Sequence, residues 1–466
     1  MMVSFYVYDI GFLILFSLWV AWFLYKRRKN LKREMGIAFL YRTQVGVRAI
    51  DRFSEKYSKL LHKMKYVVIS TGFVLMGAML WLLGKAFYIY IKIPQITDIV
   101  KAPPIAPLIP YFPKLFGMES FFPPLYFTYF ILALAIVAIV HEFSHGIFMR
   151  LFKIKIKSTG FVFLGPILGA FVEQDQKDME KKKKGEQMAV LAAGTFANLV
   201  FALIFWLLLI GFFYAAFSPA GAQFTAYSTG LIPVGAITGL GSETFGENNL
   251  TQVDVGNMSY LLDDNLRTQL DPDKNASVLL VYHDAPAIKA NLDGVIVQID
   301  DVMIKGRDDL ADYLDGKNAG EEIRVVTNID GEMNEYDIIL GEHPLHEGKG
   351  YVGIGFAPEG GRGMIGSFVS LFMGFKKSST YYEPRWDGNL VVFIYDLLWW
   401  VMIINLLVAL FNMMPLGILD GGQFFYLAIL SVTGKKGVAK VLFKVLTYAI
   451  LFLFLMLMMF WVVRVL

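Results

Sequence analysis

The sequence predicts a polytopic α-helical membrane protein with about six transmembrane segments, a membrane-associated β-hairpin and one α/β domain outside the membrane. Three observations predict this class. Of the 466 residues, 56% are hydrophobic and only 18% are charged, whereas soluble domains carry about 25% charged residues. Six apolar stretches are long enough to cross a bilayer. A long acidic segment separates the first four stretches from the last two, which indicates a folded domain in water.

Five of the apolar stretches have the length of a single membrane helix, about 20 residues. They are residues 9–25, 66–90, 125–149, 188–214 and 441–464. The sixth stretch, 390–432, is too long for one simple helix, and Pro415 together with the glycines around Asp420 should break it. A broken helix is tolerated at membrane depth where it lines a protein cavity, so this break is a candidate for site chemistry.

The charge distribution predicts the orientation of the chain in the membrane. Residues 216–345 contain 22 acidic and 7 basic side chains, and the rest of the chain is basic. Short loops rich in Lys and Arg stay in the cytoplasm, so loops 26–65 and 151–187 should be inside and the acidic domain outside. The basic balance therefore does not indicate a nucleic-acid partner. The chain has no cysteine, which leaves His, Asp and Glu as metal ligands and suits a prokaryotic cell membrane.

The motif His141-Glu142-Phe143-Ser144-His145 lies at the cytoplasmic end of the third apolar stretch. Two histidines four residues apart share one face of a helix, so both rings can reach one metal ion. Glu142 between them is placed to act as a general base on water. Ionisable side chains at membrane depth cost about 2.5–3.5 kcal/mol each, which favours a functional role over two satisfied surface histidines.

A catalytic metal site usually has a third protein ligand, and Asp420 is the best candidate. It lies in the helix break beside Gly421 and Gly422, in a segment that reaches the same side of the membrane. Asp396 is the alternative, but it should lie nearer the outer face. From the residues alone, Asp420 could equally cap the N-terminus of a helix over 421–432.

Two motifs together resemble the site-2 protease family of intramembrane zinc metalloproteases. They are His141-Glu142-x-x-His145 and Asn412-x-x-Pro415-x-Gly417-x-Leu419-Asp420-Gly421, with Gly417 where the family usually has Pro. The resemblance implies that His141, His145 and Asp420 bind one Zn²⁺ and that Glu142 is the catalytic base.

A third motif, Gly194-Thr195-Phe196-Ala197-Asn198, resembles the G-P-x-x-N motif of the same family, with Thr195 in place of Pro. The resemblance implies that Asn198 is a catalytic residue that donates to the oxyanion or holds the substrate backbone. The alternative is a polar residue that helps helices to pack beside small neighbours.

Residues 160–175 fit a helix poorly and predict a β-hairpin that turns at Gly165-Pro166. The family has a membrane-associated β-loop at this place. A substrate helix must unwind before water can attack it, and an exposed strand edge would accept the extended chain. An ordinary interfacial loop is the alternative.

The outer domain resembles a PDZ module. The resemblance depends on the segments Asp284–Ala287, Gly294–Asp300, Asp308–Leu310 and Gly320–Ile323, with strands expected at 278–281, 323–326 and 336–340. It implies that the domain binds extended peptides by strand addition. Residues 221–274 match no pattern.

These observations predict five regions. They are an N-terminal transmembrane anchor with a basic cytoplasmic segment (1–65), the first part of the membrane core with the HExxH helix and the β-loop (66–215), the PDZ-like domain (216–360), an interfacial linker (361–389) and the second part of the core with the LDG motif (390–466).

The predicted function is that of an intramembrane zinc endopeptidase, which hydrolyses peptide bonds within or near transmembrane segments. Its expected partners are single-pass membrane proteins as substrates, an extended peptide at the PDZ-like domain or the β-loop, and the lipid bilayer, but no nucleic acid. A membrane metal-ion transporter is one alternative, although it would need ligands at several depths. A non-enzymatic PDZ scaffold is another, and it would leave the HExxH motif unexplained.

Overall fold

The computed structural model describes residues 5–34, 38–92, 103–104, 108–119, 122–245, 250–256, 258–263, 278–356, 372 and 374–465. They form two compact units. The first unit combines Met1–Phe212 with Val392–Leu466, and the second is Phe213–Val391. Much of the predicted linker 361–389 (residues 361–371 and 373) lies outside the described residues.

Helices dominate the first unit. In chain order the α-helices of the described residues, in both units, are α1 (Phe5–Arg27), α2 (Val47–Lys56), α3 (Ser58–Lys92), α4 (Phe112–Leu115), α5 (Phe127–Leu151), α6 (Gln176–Glu180), α7 (Lys184–Ala216), α8 (Pro286–Lys289), α9 (Arg307–Asp315), α10 (Gly388–Asn412), α11 (Asp420–Thr433) and α12 (Lys436–Val465).

Six helices of the described residues are long and apolar enough to cross a membrane. They are Phe5–Asn30, Ser58–Lys92, Phe127–Leu151, Lys184–Ala216, Gly388–Asn412 and Lys436–Val463. Their number agrees with the sequence-based prediction. The predicted break in 390–432 is also present, because α10 ends at Asn412 and the next helix begins only at Asp420.

The first unit also contains a four-stranded antiparallel sheet in the order β1-β2-β3-β4. Its strands are β1 (Leu31–Glu34), β2 (Ala38–Thr43), β3 (Ile156–Leu164) and β4 (Ile167–Gln174). The predicted β-hairpin is confirmed as β3 and β4, which are separated by Gly165 and Pro166.

The N-terminal segment contributes half of this sheet, which the sequence did not predict. Tyr41 and Thr43 of β2 pair with Phe161 and Thr159 of β3. Helix α2 then packs on α5, where Ile50 is fully buried. A methyl group on Gly146 of α5 would lie 2.7 Å from Cδ1 of Ile50, so the two helices approach closely because residue 146 is glycine. Region 1–65, predicted as a transmembrane anchor with a basic segment, therefore also supplies two strands and a helix that pack beside the HExxH helix.

A buried carboxylate from α1 caps the N-terminus of α5, the helix that carries the HExxH motif. Asp9 is 1% exposed. Its Oδ2 accepts hydrogen bonds from Phe127 N (2.8 Å) and Tyr111 Oη (2.6 Å). Its Oδ1 accepts from the backbone N (2.9 Å) and the hydroxyl (2.6 Å) of Thr128. First-turn N–H groups have no partner within a helix, so Asp9 satisfies donors that would otherwise be unpaired in a protein interior.

The second unit is rich in β-structure. Its strands are β5 (Phe217–Gln223), β6 (Ala226–Tyr227), β7 (Thr229–Pro233), β8 (Gly239–Phe245), β9 (Leu250–Val255), β10 (Met258–Asp263), β11 (Val278–His283), β12 (Val295–Ile299), β13 (Val302–Met303), β14 (Glu322–Ile329), β15 (Glu332–Ile339), β16 (Gly341–His343), β17 (His346–Tyr351), β18 (Ile354–Gly355) and β19 (Thr380–Pro384).

One sheet of the second unit follows the order β15-β14-β12-β5-β19, with β13 paired to β12. Leu292 and Ile296 lie in its core together with Leu310 of α9 and Ile323 of β14. The strands predicted at 323–326 and 336–340 are confirmed as β14 and β15.

A second sheet has the order β7-β11-β10-β9-β8 and its own core, formed around Val253 and Leu279. It accounts for most of the described part of 221–274, the segment that matched no pattern. The strand expected at 278–281 is confirmed as β11, which pairs with β7 and β10 in this second sheet and not with β14 or β15.

Candidate metal centre

His141 and His145 lie one turn apart on α5, and their rings meet edge to face. The ring centroids are 4.6 Å apart with an interplanar angle of 78°. The two Nε2 atoms are 3.0 Å apart, and both side chains are buried. This is the arrangement that an i, i+4 pair on one helix face predicts.

Asp420 joins the two histidines from a position 279 residues beyond His141 in the sequence. Its Oδ2 lies 3.1 Å from Nε2 of His141 and 3.2 Å from Nε2 of His145. Helix α11 begins at Asp420, and Leu419 is its N-cap residue without a side-chain cap. Asp420 therefore directs its carboxylate at the histidines, rather than serving as the N-cap residue considered from the sequence.

The glycines after Asp420 allow this approach. A Cβ atom on Gly421 would overlap the backbone carbonyl of Met413, and one on Gly422 would overlap that of Leu416. The start of α11 therefore packs directly on the backbone of the loop that joins it to α10. A side chain at either position would displace the start of α11, and Asp420 with it.

The three ligand atoms fit a single metal ion. They lie 3.0–3.2 Å from one another, so a single ion could bind all three at close to the 2.0–2.1 Å that zinc prefers for nitrogen and oxygen ligands. Within the described residues, one set of His, Asp and Glu side chains has its ligand atoms close enough together to bind a single ion. It consists of His141, His145 and Asp420. Asp396, the alternative ligand, is buried on α10 and is not part of this group.

Backbone and amide groups around the two histidines determine which ring nitrogen is available to an ion. Nδ1–H of His145 donates to the carbonyl oxygen of Val190 at 2.7 Å, which leaves Nε2 free to bind a metal. On the other ring, Nδ2 of Asn198 lies 3.0 Å from Nδ1 of His141. Oδ1 of Asn198 is buried and has no hydrogen-bond partner among the described residues.

This orphaned oxygen indicates the orientation that the Asn198 amide would take if Nε2 of His141 bound a metal. The neutral ring then carries its proton on Nδ1, which needs an acceptor. Rotating the Asn198 amide by about 180° places Oδ1 opposite Nδ1–H and satisfies both atoms. The predicted contact of Asn198 with the oxyanion remains a prediction, since the structure places this side chain against His141.

Gly194 provides space for both rings, a role that the sequence did not reveal. A Cβ atom at this position of α7 would lie 2.5 Å from Nε2 of His145 and 2.7 Å from Cε1 of His141. These separations are shorter than van der Waals contact, so even alanine would displace a ring. Gly194 did belong to a motif noted in the sequence, Gly194-x-x-x-Asn198. The structure explains why this residue is glycine, because any side chain would collide with the rings.

Glu142 is held by the edge of the four-stranded sheet. The backbone N–H of Val172 on β4 donates to its Oε2 at 2.8 Å. Strand β4 ends the sheet in the described residues, with β3 as its partner. The carboxylate predicted as the base and the strand edge predicted to accept substrate are therefore in direct contact.

Comparison with known proteins agrees with this geometry. The model of peptidase family M50 matches residues 129–296 and 363–458, which is more than half of the chain. The chain belongs to peptidase family M50. The matched ranges contain all the candidate site residues, which are His141, Glu142, His145, Asn198 and Asp420. Membership suggests an intramembrane metalloprotease, and M50 proteases are zinc enzymes. Together with the six apolar helices, it indicates an integral membrane protein.

A similar protein comes from Methanocaldococcus jannaschii, where it is described as uncharacterized. The two sequences are 32% identical over 190 residues, which is 40% of this M50 peptidase and 47% of the relative. The chain thus matches about half of the length of that relative. The specific roles of Glu142 and Asn198 stay predictions.

Proposed function

We propose that this M50 peptidase is a zinc endopeptidase of the site-2 type that cleaves single-pass membrane proteins within or near their transmembrane segments. The observation that carries the proposal is the convergence of His141, His145 and Asp420 to 3.0–3.2 Å. Two of these residues lie in one apolar helix and the third begins the helix that follows the break, and the family match covers all of them.

The side chains divide the chemistry between them. His141, His145 and Asp420 would hold Zn²⁺, which when bound supplies a Lewis acid that activates water and polarises the scissile carbonyl. Glu142 accepts a proton from the attacking water and returns one to the leaving amine. The Val172 N–H holds the Glu142 carboxylate in place before substrate arrives.

Asn198 and Val190 orient the rings in this proposal. The Val190 carbonyl accepts from His145, and the amide of Asn198 accepts from His141 once rotated. After that rotation the NH₂ group of Asn198 points away from Nδ1 and is free to donate to the substrate, which keeps the predicted oxyanion contact compatible with the ring-orienting role.

Strand β4 provides a place for the unwound substrate. A transmembrane helix satisfies its own backbone hydrogen bonds, and these must be replaced when it opens in a membrane. The outer edge of β4 presents backbone groups beside Glu142, so an extended substrate added to this edge lies next to the base.

The second unit would serve as the substrate-selecting module of a PDZ-containing member. Three of the four PDZ-like segments predicted from the sequence overlap its first sheet and α9, namely Gly294–Asp300, Asp308–Leu310 and Gly320–Ile323. In this proposal it captures extended peptide segments outside the cell membrane of a prokaryote, while the metal centre lies toward the cytoplasmic side. The Lys and Arg distribution supports this orientation.

The test uses the purified full-length protein in proteoliposomes with a set of single-pass model substrates. The proposal expects cleavage inside the transmembrane region, loss of cleavage with a zinc chelator and recovery when zinc is restored. Zinc flux into the same vesicles without peptide release would instead identify a transporter. Peptide release that persists at zero bound zinc would contradict the proposal.

A further inference from the structure

A cavity of about 200 Å³ lies beside Glu142 and is separate from the metal ligands. The sheet contributes Thr159, Ala170 and Val172 to its lining, and α5 contributes Ile139. The N-terminal segment also lines it, through Ile50 of α2 and through Thr43, Val45 and Gly46 of the turn Thr43–Gly46, which runs from the last residue of β2 to the start of α2. Of the residues around this cavity, the chemistry proposed above uses only Glu142 and Val172, and it uses none of the turn.

The size and lining of the cavity define what it would hold. An apolar cavity of about 150 Å³ accommodates a benzene ring, so about 200 Å³ holds one large side chain but not a helix. Its polar lining groups are the side chains of Thr43, Thr159 and Glu142, and none of its lining residues is basic. An acidic side chain would meet the charge of Glu142, so the cavity suits an uncharged apolar side chain.

Its position relates it to the peptide bond under attack. Val172 lines the cavity and also donates to Glu142. Thr159 pairs with Val172, and Phe161 pairs with Ala170, so these four residues share one face of the sheet. A substrate strand along β4 would place every second side chain on that face. The substrate side chain opposite Val172 would then lie next to the scissile peptide bond, because Glu142 acts on that bond in the proposed mechanism.

Hydrogen bonds from the sheet hold the N-terminal turn over this cavity. The Thr159 hydroxyl donates to the carbonyl of Val45 at 2.7 Å. The Thr43 hydroxyl accepts from the Val45 N–H at 3.2 Å. At the same end of the sheet, Nε of Arg42 contacts the Glu173 carboxylate at 2.9 Å and ties β2 to β4 across β3. The turn is therefore a fixed wall rather than a loose connection.

We propose that this cavity is the specificity subsite for the substrate side chain adjacent to the scissile bond, that it selects a large apolar residue there, and that the turn Thr43–Gly46 forms its outer wall. The inference rests on the proposed endopeptidase function. It makes the N-terminal segment part of the substrate site rather than only a membrane anchor.

Cross-linking tests the location, and it requires no turnover. The chain contains no cysteine, so Ala170→Cys in a Glu142→Gln background supplies one thiol in the cavity. Model substrates with a single cysteine at successive positions are incubated with it in proteoliposomes and oxidised with diamide. Val432→Cys, at an 88% exposed position on α11, is the control.

The yield of the disulfide cross-link between Ala170→Cys and the substrate should be highest for the substrate cysteine directly beside the bond that the wild-type protein cleaves. The Val432→Cys control should show no such maximum. A flat profile, or a peak more than one residue from the cleaved bond, overturns the subsite.

Size selection is tested with Ala170→Val, which adds two methyl groups toward the cavity. The control is Gly169→Ala on the neighbouring position of β4, where an added Cβ meets nothing closer than 3.9 Å. For wild type and control, substrates with Leu beside the scissile bond should be cleaved faster than those with Ala. In Ala170→Val the Leu/Ala ratio of kcat/KM should fall by about tenfold or more, the effect of one or two methylenes in a tight pocket.

An unchanged ratio in Ala170→Val, while the wild type cleaves normally, would refute the subsite and leave the endopeptidase intact. Failure of the wild-type protein to cleave any substrate would instead refute the proposed function.

Discussion

The backbone N–H of Val172 donates a 2.8 Å hydrogen bond to the carboxylate of Glu142. This contact joins a residue of the HExxH motif to the outer strand of a sheet that includes the N-terminal hairpin. The same strand edge is where an unwound substrate would add in the proposed mechanism. The proposed base, the substrate platform and the N-terminal segment are thus parts of one substructure.

Replacing Glu142 by glutamine should separate metal binding from catalysis. The glutamine side chain retains an oxygen that can accept from Val172 but loses the ability to take a proton. We expect full zinc content, and cleavage reduced by about 10²–10⁴-fold, the usual contribution of a general base. Metal analysis and cleavage assays on the same preparation check this. Cleavage at the wild-type rate would remove Glu142 from the mechanism.

Gly194→Ala should disrupt the metal centre without touching a ligand. The added methyl would lie 2.5 Å from Nε2 of His145, so one ring must move and the affinity for zinc should fall at least about tenfold. Gly211→Ala is the matched control, because an added Cβ at that position of α7 meets nothing within 4 Å. Equal zinc affinity in both variants would contradict the close packing of Gly194 on the rings.

Asp9→Ala should destabilise the first unit, because it leaves four donors around the start of α5 without their acceptor. Loss of a helix cap and of buried hydrogen bonds together should cost about 2–4 kcal/mol. Ser17→Ala is the control on the same helix, where the hydroxyl donates only to Leu13 O of its own helix. Denaturant unfolding in detergent measures the difference. Equal stability of the two variants would show that the cap is dispensable.

The stability of the second unit should decrease in acid through Asp300. The backbone N–H of Arg324 donates to its carboxylate at 2.8 Å, and with the Tyr313 hydroxyl and nearby Lys317 it holds the pKa of Asp300 below its ordinary value. A pKa that is lower in the folded state stabilises the fold above the unfolded pKa of about 3.9. This stabilisation is lost as the pH falls through the lower, folded value.

Hydrogen exchange of the β12 and β14 amides between about pH 6 and pH 3 would measure this effect in the intact protein. Asp300→Asn should reduce the acid dependence relative to wild type. Asp301→Asn at the exposed neighbouring position, which removes the same charge, should leave it in place. Identical acid dependence in all three proteins would contradict the assignment to Asp300.

Sequence reasoning predicted the residues of the metal centre better than the groups that hold them. The spacing of His141 and His145 is a local helical property, so it could be predicted directly. Asp420 was one of two alternatives until the resemblance to a family selected it. The Val190 carbonyl and the Val172 N–H could not be predicted, because backbone groups carry no sequence signal of their own.

The membrane helices could be predicted from the length of the apolar stretches. The N-terminal strands were missed because their charged residues are typical of a loop. Strand β1 consists of Leu31-Lys32-Arg33-Glu34, and its charges indicated a cytoplasmic loop although the segment pairs with β2. Asp9 did leave a signal, since an acid inside an apolar stretch is costly and requires partners. Those partners lie more than a hundred residues away, so no local pattern could identify them.

Substitutions of Asn198 should distinguish a ring-orienting role from direct contact with the oxyanion. Asn198→Ala leaves Nδ1–H of His141 without its acceptor, and loss of such an outer partner typically costs about 10–100-fold in metal affinity. Asn198→Asp restores an acceptor but has no NH₂ donor.

If the side chain orients the ring, zinc affinity falls in the alanine variant and recovers in the aspartate variant. If it acts only on the oxyanion, both variants bind zinc like the wild type and both lose kcat because neither can donate a hydrogen bond. Zinc titrations and cleavage kinetics on the same two proteins decide between these outcomes.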